Sequence, residues 1–270
     1  MSEDIARDRW GRPLIVPPEG GKPEPYTRVS TLAKALSDQT GLTKWKLRMT
    51  VKGAALRHDL YALAQAAAHR SDDRQLDDIA QKMLDAAGSS SKANVGTAIH
   101  QFTEAHDRGE LPLYPPEYAR VMEHYAEAMA PMQVLGLERF VVVDDLKCAG
   151  TFDRIVRLPD GRVMVADIKT GASEPKYPLP ATIQTAIYSR GSVYDHTLAI
   201  PRKGTLADYG VDQDAGLLIH LPTDGSGCFL YEVDLKAGWL AAQRAVWVRN
   251  ANKDKSIIRP LGSVNKKETK

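Results

Sequence analysis

Two runs rich in Val, Ile and Phe, residues 150–158 and 162–169, are separated only by Pro159-Asp160-Gly161, which confines this part of the chain to a tight hairpin. Short β-branched runs bounded by Pro, Asp and Gly predict strands, and a three-residue loop suits Gly161 in the left-handed position. Such a loop fixes a register. With Leu158 opposite Arg162, Asp153 faces Asp167, and directly opposed side chains lie on one face of a sheet. Lys169 is two residues further on and shares that face, whereas Ile168 points the other way into packing. A slip of one residue would part the two carboxylates, so the reading depends on this register.

Opposed aspartates on strands that otherwise carry Ile155, Val156, Val163 and Val165 repel one another unless a cation lies between them. Oxygen ligands favour Mg²⁺, Mn²⁺ or Ca²⁺ over zinc, and a hard dication polarises a phosphate and acidifies bound water. Lys169 adds a positive charge suited to stabilising a pentavalent phosphate or orienting the attacking water. The triplet alone says little. Asp145-Leu146-Lys147 and Asp234-Leu235-Lys236 repeat it, Glu174-Pro175-Lys176 and Glu268-Thr269-Lys270 resemble it, and any of them could be a plain salt bridge.

Two further pairs give the triplet a context. In Gly96-Thr-Ala-Ile-His100-Gln-Phe-Thr-Glu104, His100 and Glu104 stand four apart on one helix face, where both could reach one ion or simply contact each other. The spacing is not His-Glu-x-x-His, which disfavours zinc-protease chemistry. Gln184 and Tyr188, again four apart, offer an amide and a phenol to orient a phosphate or the lysine, or could be a half-buried helix face.

The 270 residues carry a formal charge of only +2, so contact with a polyanion must come from a local patch and not from the global field. Cys148 and Cys228 form no Cys-x-x-Cys knuckle, and the N-terminus has no apolar signal core, which together fit a cytoplasmic, soluble protein. No phosphate-binding Gly-x-x-x-x-Gly-Lys-Ser/Thr loop is present, so nothing points to an ATP-driven motor. Prolines at 13, 17, 18, 23 and 25 predict an extended arm over 1–29, followed by a helical region over 30–92 broken near Gly41 and Ser71. Helices are expected from about Asn94 to Gly109 and Glu117 to Leu135, then strands over 138–143, 150–158 and 162–169. A helix over 180–190, a hairpin over 216–233, a closing helix over 236–250 and a frayed tail over 251–270 complete the expectation. The fold class is therefore mixed α/β or α+β, with a core over 93–250.

In this order, Gly96-Thr-x-Ile-His100-x-x-x-Glu104, Gly150-Thr-x-Asp153, Asp167-Ile-Lys169 and Gln184-x-x-x-Tyr188 resemble the PD-(D/E)XK nuclease superfamily, in particular its RecB-type exonuclease branch. The resemblance implies a restriction-endonuclease-like core and a Mg²⁺- or Mn²⁺-dependent deoxyribonuclease. It implies Glu104, Asp153 and Asp167 as acidic metal ligands, His100 as a further ligand favouring Mn²⁺, and the Ile168 carbonyl as a backbone ligand. Lys169 would be catalytic, with Gln184 and Tyr188 supporting the active site and DNA binding. Many members of this branch, the CRISPR-associated exonucleases included, hold an iron–sulfur cluster on four cysteines. This chain has two, none before Cys148, and cannot build such a cluster by itself. Its compact form without a helicase is similar to stand-alone phage nucleases.

Lys44, Lys46, Arg48, Lys52 and Arg57, with Trp45 among them and no acidic residue between Thr40 and His58, form a local basic patch. It could hold the phosphates of single-stranded DNA or of DNA ends while a base or sugar packs on the indole, or it could be a solvated helix face with Trp45 in the core. Three activities stay open: an exonuclease, a structure- or site-specific endonuclease with the same ligands, and a DNA-binding or assembly protein with a relic site.

Overall fold

The computed structural model describes residues 5–110, 112–171, 178–198, 201–259 and 261, with only the backbone described for 91–93. The triplets at Glu174 and Glu268 and half of the expected tail lie outside them.

The proline-rich arm is extended but not loose. β1 (Leu14–Ile15) pairs with β2 (Glu24–Pro25), and β3 (Thr27–Arg28) runs parallel to the start of a later strand at Cys148 and Ala149. Ile15 and Tyr26 are buried against Phe140, Val142 and Tyr194, and the Tyr26 hydroxyl donates to Asp144 at 2.7 Å. Apolar anchors spaced among the prolines therefore strap the arm to the sheet.

After α1 (Val29–Ala33), three helices follow: α2 (Thr40–Leu56), α3 (His58–His69) and α4 (Asp73–Ala86). The break expected near Gly41 falls at residues 37–39, where Asp38 accepts the Thr40 N–H at 2.8 Å and α2 starts just ahead of the glycine. Gly53 matters more: a Cβ there would sit 1.8 Å from the Met83 carbonyl oxygen, so only glycine lets α2 and α4 cross so closely. Leu60, Ala67, Ile79 and Met83 form the small core of this lobe.

The long helix α5 (Ser89–Asp107) begins five residues before the expected Asn94. Gly88, at φ 90°, turns the chain, and the Ser89 and Ser90 hydroxyls donate to Asp85, so serines that read as a linker brace the start of a helix. α6 (Ala119–Met129) stops short of the expected Leu135, because Pro131 cannot continue a helix. β4 (Gln133–Val143) fills the difference.

β4, β5 (Cys148–Arg157) and β6 (Val163–Gly171) form an antiparallel meander. Next come α7 (Leu179–Ser189), β7 (Ser192–Tyr194), β8 (Arg202–Thr205), β9 (Ala215–Pro222), β10 (Phe229–Asp234) and α8 (Leu235–Ala251). The short β7 and β8, with little apolar alternation, were not legible as strands and exist by pairing at the edge. The sheet order is β10-β9-β6-β5-β4-β7-β8, with β9 parallel to β6. Ile99 of α5 and Val121, Met122 and Met129 of α6 cover one face, meeting Ile168, Met164 and Ile219. Val29 and Leu32 of α1, Ile183 and Ile187 of α7, and Ala242 of α8 cover the other. Helices on both sides of a mixed sheet give the restriction-endonuclease-like core expected from the motifs.

Candidate metal centre

The hairpin register agrees with the sequence expectation. Leu158 donates its N–H to Arg162, and the pairs Arg157–Val163 through Arg154–Ala166 lead directly to Asp153 opposite Asp167. There the ladder ends, and the Asp153 carboxylate takes over, accepting the Ile168 N–H at 2.7 Å. β6 runs on to Gly171 paired with β9 along its other edge, so the two carboxylates sit where β5 and β6 part. Ile168 is fully buried on the opposite face, which stabilises this arrangement by about 2 kcal/mol relative to an exposed side chain.

Asp167 is 2% exposed, with Lys169 Nζ at 2.5 Å from its Oδ2. Burial raises the Asp167 carboxyl above the ordinary range; Lys169 opposes this and Asp153 adds to it. Burial works against the Lys169 ammonium, but Asp167 and Asp153 outweigh it and keep the lysine charged. Across the cleft, His100 Nδ1 lies 3.8 Å from Asp153 Oδ2. Burial lowers the His100 pKa, with Asp153 pulling the other way, which favours the neutral imidazole a metal ligand must be.

A cavity of about 570 Å³ is lined by Gly96, His100, Glu104, Glu138, Asp153 and Thr170, among others. Gly96 earns its place in the motif because a Cβ there would stand 2.7 Å from Thr170 Oγ1, so α5 closes on the end of β6. Gly150 plays the same part for Tyr188, whose hydroxyl would be 3.1 Å from a Cβ. Tyr188 is buried and in turn receives a long hydrogen bond from Gln184 at 3.4 Å, which ties the two helix residues to each other.

Glu138 was missed as a site residue. The pairs Leu137–Arg154 and Arg139–Phe152 leave it facing Asp153 across β4 and β5, with a left-handed φ of 46°. Burial, then Asp153 and Glu104, push its carboxyl up to about 7. Extending the strand back past residue 138 and pairing it with β5 would have found it. Also unforeseen is a buried pair behind the centre: Arg154 and Asp107, each 1% exposed, form an ion pair, and Asp107 also accepts the Tyr125 hydroxyl at 2.6 Å. This pins the end of α5 to β5 beside Asp153, and removing one partner costs about 3–5 kcal/mol.

The donors suit a hard divalent cation: the carboxylates of Glu104, Asp153 and Asp167, the Ile168 carbonyl and the His100 imidazole. Among the described residues, however, no three His, Cys, Asp or Glu side chains stand close enough together to hold an ion as they are. Glu104 is ion-paired to Arg108, Asp153 is bonded to the Ile168 N–H, and Asp167 is paired with Lys169. An incoming cation would have to replace Arg108 at Glu104. The rival triplets lack this setting: Lys147 pairs with Glu24 and Lys236 with Asp214, both on the surface.

On α2, Lys44, Lys46, Arg48 and Lys52 are exposed, and Trp45 is half-buried. Arg57 is exposed but bound to Asp59 at 2.6 Å. Leu47 and Val51, 63% and 71% exposed, share this outer surface. Cys148 and Cys228 are free thiols. Among the described residues no helix is long and apolar enough to cross a membrane.

A mixed sheet between helices, with a strand-end Asp pair and its lysine beside His100 and Glu104 of α5, defines a metal-dependent nuclease of the restriction-endonuclease-like kind. A sequence profile of the PD-(D/E)XK nuclease superfamily matches residues 53–219, and the chain belongs to that superfamily. No curated protein matches the chain. Among solved structures it is similar to the crystal structure of SSO0001, at 16% identity over 79% of this chain and 90% of that one, with a TM-score of 0.32.

Proposed function

We propose that this nuclease is a deoxyribonuclease of the RecB-type branch that digests DNA from an end. The observation that carries the reading is Asp153 and Asp167 side by side where β5 and β6 part, with Lys169 paired to Asp167 at 2.5 Å. Glu104, Asp153, Asp167, the Ile168 carbonyl and His100 would hold Mg²⁺ or Mn²⁺. A bound dication supplies Lewis acidity and a water acidic enough to attack at neutral pH.

The chain's own residues do the rest. Lys169, kept protonated by two carboxylates, places a fixed positive charge beside the scissile phosphate, where charge grows in the transition state. Gln184 and Tyr188 hold the lysine side of the cleft. Lys44, Lys46, Arg48 and Lys52 take phosphates along α2, Trp45 offers its exposed edge to a base or sugar, and Arg57 joins them by exchanging Asp59. Residues 93–250 form the nuclease core in this reading and 30–92 the substrate-holding lobe. The enzyme works without an iron–sulfur cluster, in the cytoplasm, where two free thiols are at home.

End-labelled linear DNA and covalently closed circular DNA, each with Mg²⁺ and with Mn²⁺, test the reading. An exonuclease degrades the linear form and spares the circle. Cleavage of the circle would make it an endonuclease, and no cleavage of either would leave a DNA-binding protein.

A further inference from the structure

Among the described residues, β4 is paired along its whole length on one edge but only near its end on the other. β5 accompanies it from Gln133 to Val143, whereas β7 meets its other edge at Val141 and Val142 alone. Beside the open stretch lies a second hollow of about 950 Å³ that touches every residue from Val134 to Phe140, with Asp195, Thr197 and Lys203 on the opposite wall. A hollow that meets consecutive residues of a strand runs along its edge and not over one face. Glu104 and Glu138 line this hollow and the cavity of the metal centre alike, so the two open into each other.

We propose that this groove binds one nucleic-acid strand and leads it to the centre, an inference that rests on the nuclease reading above. The charges along it are already sorted. Asp107 is committed to Arg154, Asp195 pairs with Lys203 at 3.0 Å, and Glu104 and Glu138 stand at the mouth of the centre. Arg139 is exposed, and among the described residues its side chain has no hydrogen-bond or ion-pair partner. Among the described residues the Arg108 guanidinium is held by Glu104 alone, and it is released to a phosphate if Glu104 turns to a cation. Guanidinium groups, open-edge amides and the Thr197 hydroxyl are donors that phosphates and sugars take. Val134, Leu135 and Leu137 supply an apolar side for bases.

Two features select this occupant. The volume falls on the ~300–1,000 Å³ scale of single-ligand pockets, which admits a few nucleotides of one strand but no duplex. A peptide could also seek an open strand edge, but the left-handed Glu138 interrupts the even donor and acceptor spacing that an added strand needs.

The test is binding of a fluorescent single-stranded oligonucleotide by metal-free protein. Wild type is compared with Arg139→Glu and with Arg244→Glu, which reverses an exposed charge on α8 far along the chain. The expected result is at least a fivefold weaker Kd for Arg139→Glu, a salt dependence shallower by about 0.7 per lost phosphate contact, and no change for Arg244→Glu. A duplex of the same length should compete poorly. Equal affinity of Arg139→Glu and wild type, equal losses in both variants, or no binding by wild type would each overturn the groove. The nuclease reading is judged separately, by wild-type cleavage with Mn²⁺. Loss of affinity in Arg139→Glu without any such cleavage would keep the groove as a nucleic-acid site and remove the chemistry.

Discussion

The β5–β6 hairpin and the α2–α4 lobe handle charge in opposite ways. At the hairpin, Asp167 is 2% exposed, Asp153 bonds a backbone N–H, and Lys169 is fixed by Asp167. On α2, Lys44, Lys46, Arg48 and Lys52 reach into solvent with no partner holding them among the described residues. Buried, fixed charges act strongly on a reaction because the low dielectric leaves them unscreened, whereas exposed ones give affinity that salt screens. In the function proposed above, this contrast separates chemistry at the hairpin from substrate holding on the lobe.

The largest effect should come from the hairpin. Lys169→Ala is expected to lower kcat on linear DNA by about a thousandfold or more, with DNA affinity and folding retained. Affinity lost together with rate would break the division of labour. A similar loss is expected when EDTA strips the metal, reversed by Mn²⁺, and EDTA-resistant cleavage would remove the metal from the account. The lobe should respond differently. Lys44→Glu, Arg48→Glu and Lys52→Glu together should raise KM about tenfold with kcat little changed, and flatten the salt dependence of binding by about 2. A fall in kcat alone would place α2 in the chemistry.

The smallest effect is a pH dependence. Glu138, pushed up to about 7 by burial and its carboxylate neighbours, folds more readily protonated than ionised. Its folded pKa lies above its unfolded one, so the associated stability is full below about pH 4 and is lost as pH rises through 7. Metal-free Glu138→Gln should therefore match wild type at low pH and exceed it by about 1–3 kcal/mol at pH 8 in chemical denaturation. Equal stability of the two at both pH values would show that Glu138 is not held near the other carboxylates.

Much of the hairpin was legible in the sequence because local rules govern it. Pro159-Asp160-Gly161 sets the loop, the loop sets the register, and the register brings Asp153 to Asp167. Glu138 and the Arg154–Asp107 pair were not legible, since both depend on how β4 and α5 dock on β5, which no spacing along the chain encodes. The short β7 and β8 were hidden for the same reason. Composition picked out the basic run of α2, yet only the packing shows that Trp45 is half-buried and that Arg57 is engaged by Asp59.

Mn²⁺ titration calorimetry of wild type and Asp167→Asn tests the central claim most directly, with circular dichroism confirming that both are folded. Asparagine keeps the shape of the buried side chain while removing its charge. Saturable Mn²⁺ binding by wild type that vanishes in Asp167→Asn, together with its DNA cleavage, is the predicted result. Unchanged Mn²⁺ binding and cleavage in the folded variant would contradict a metal centre built on the β5–β6 hairpin.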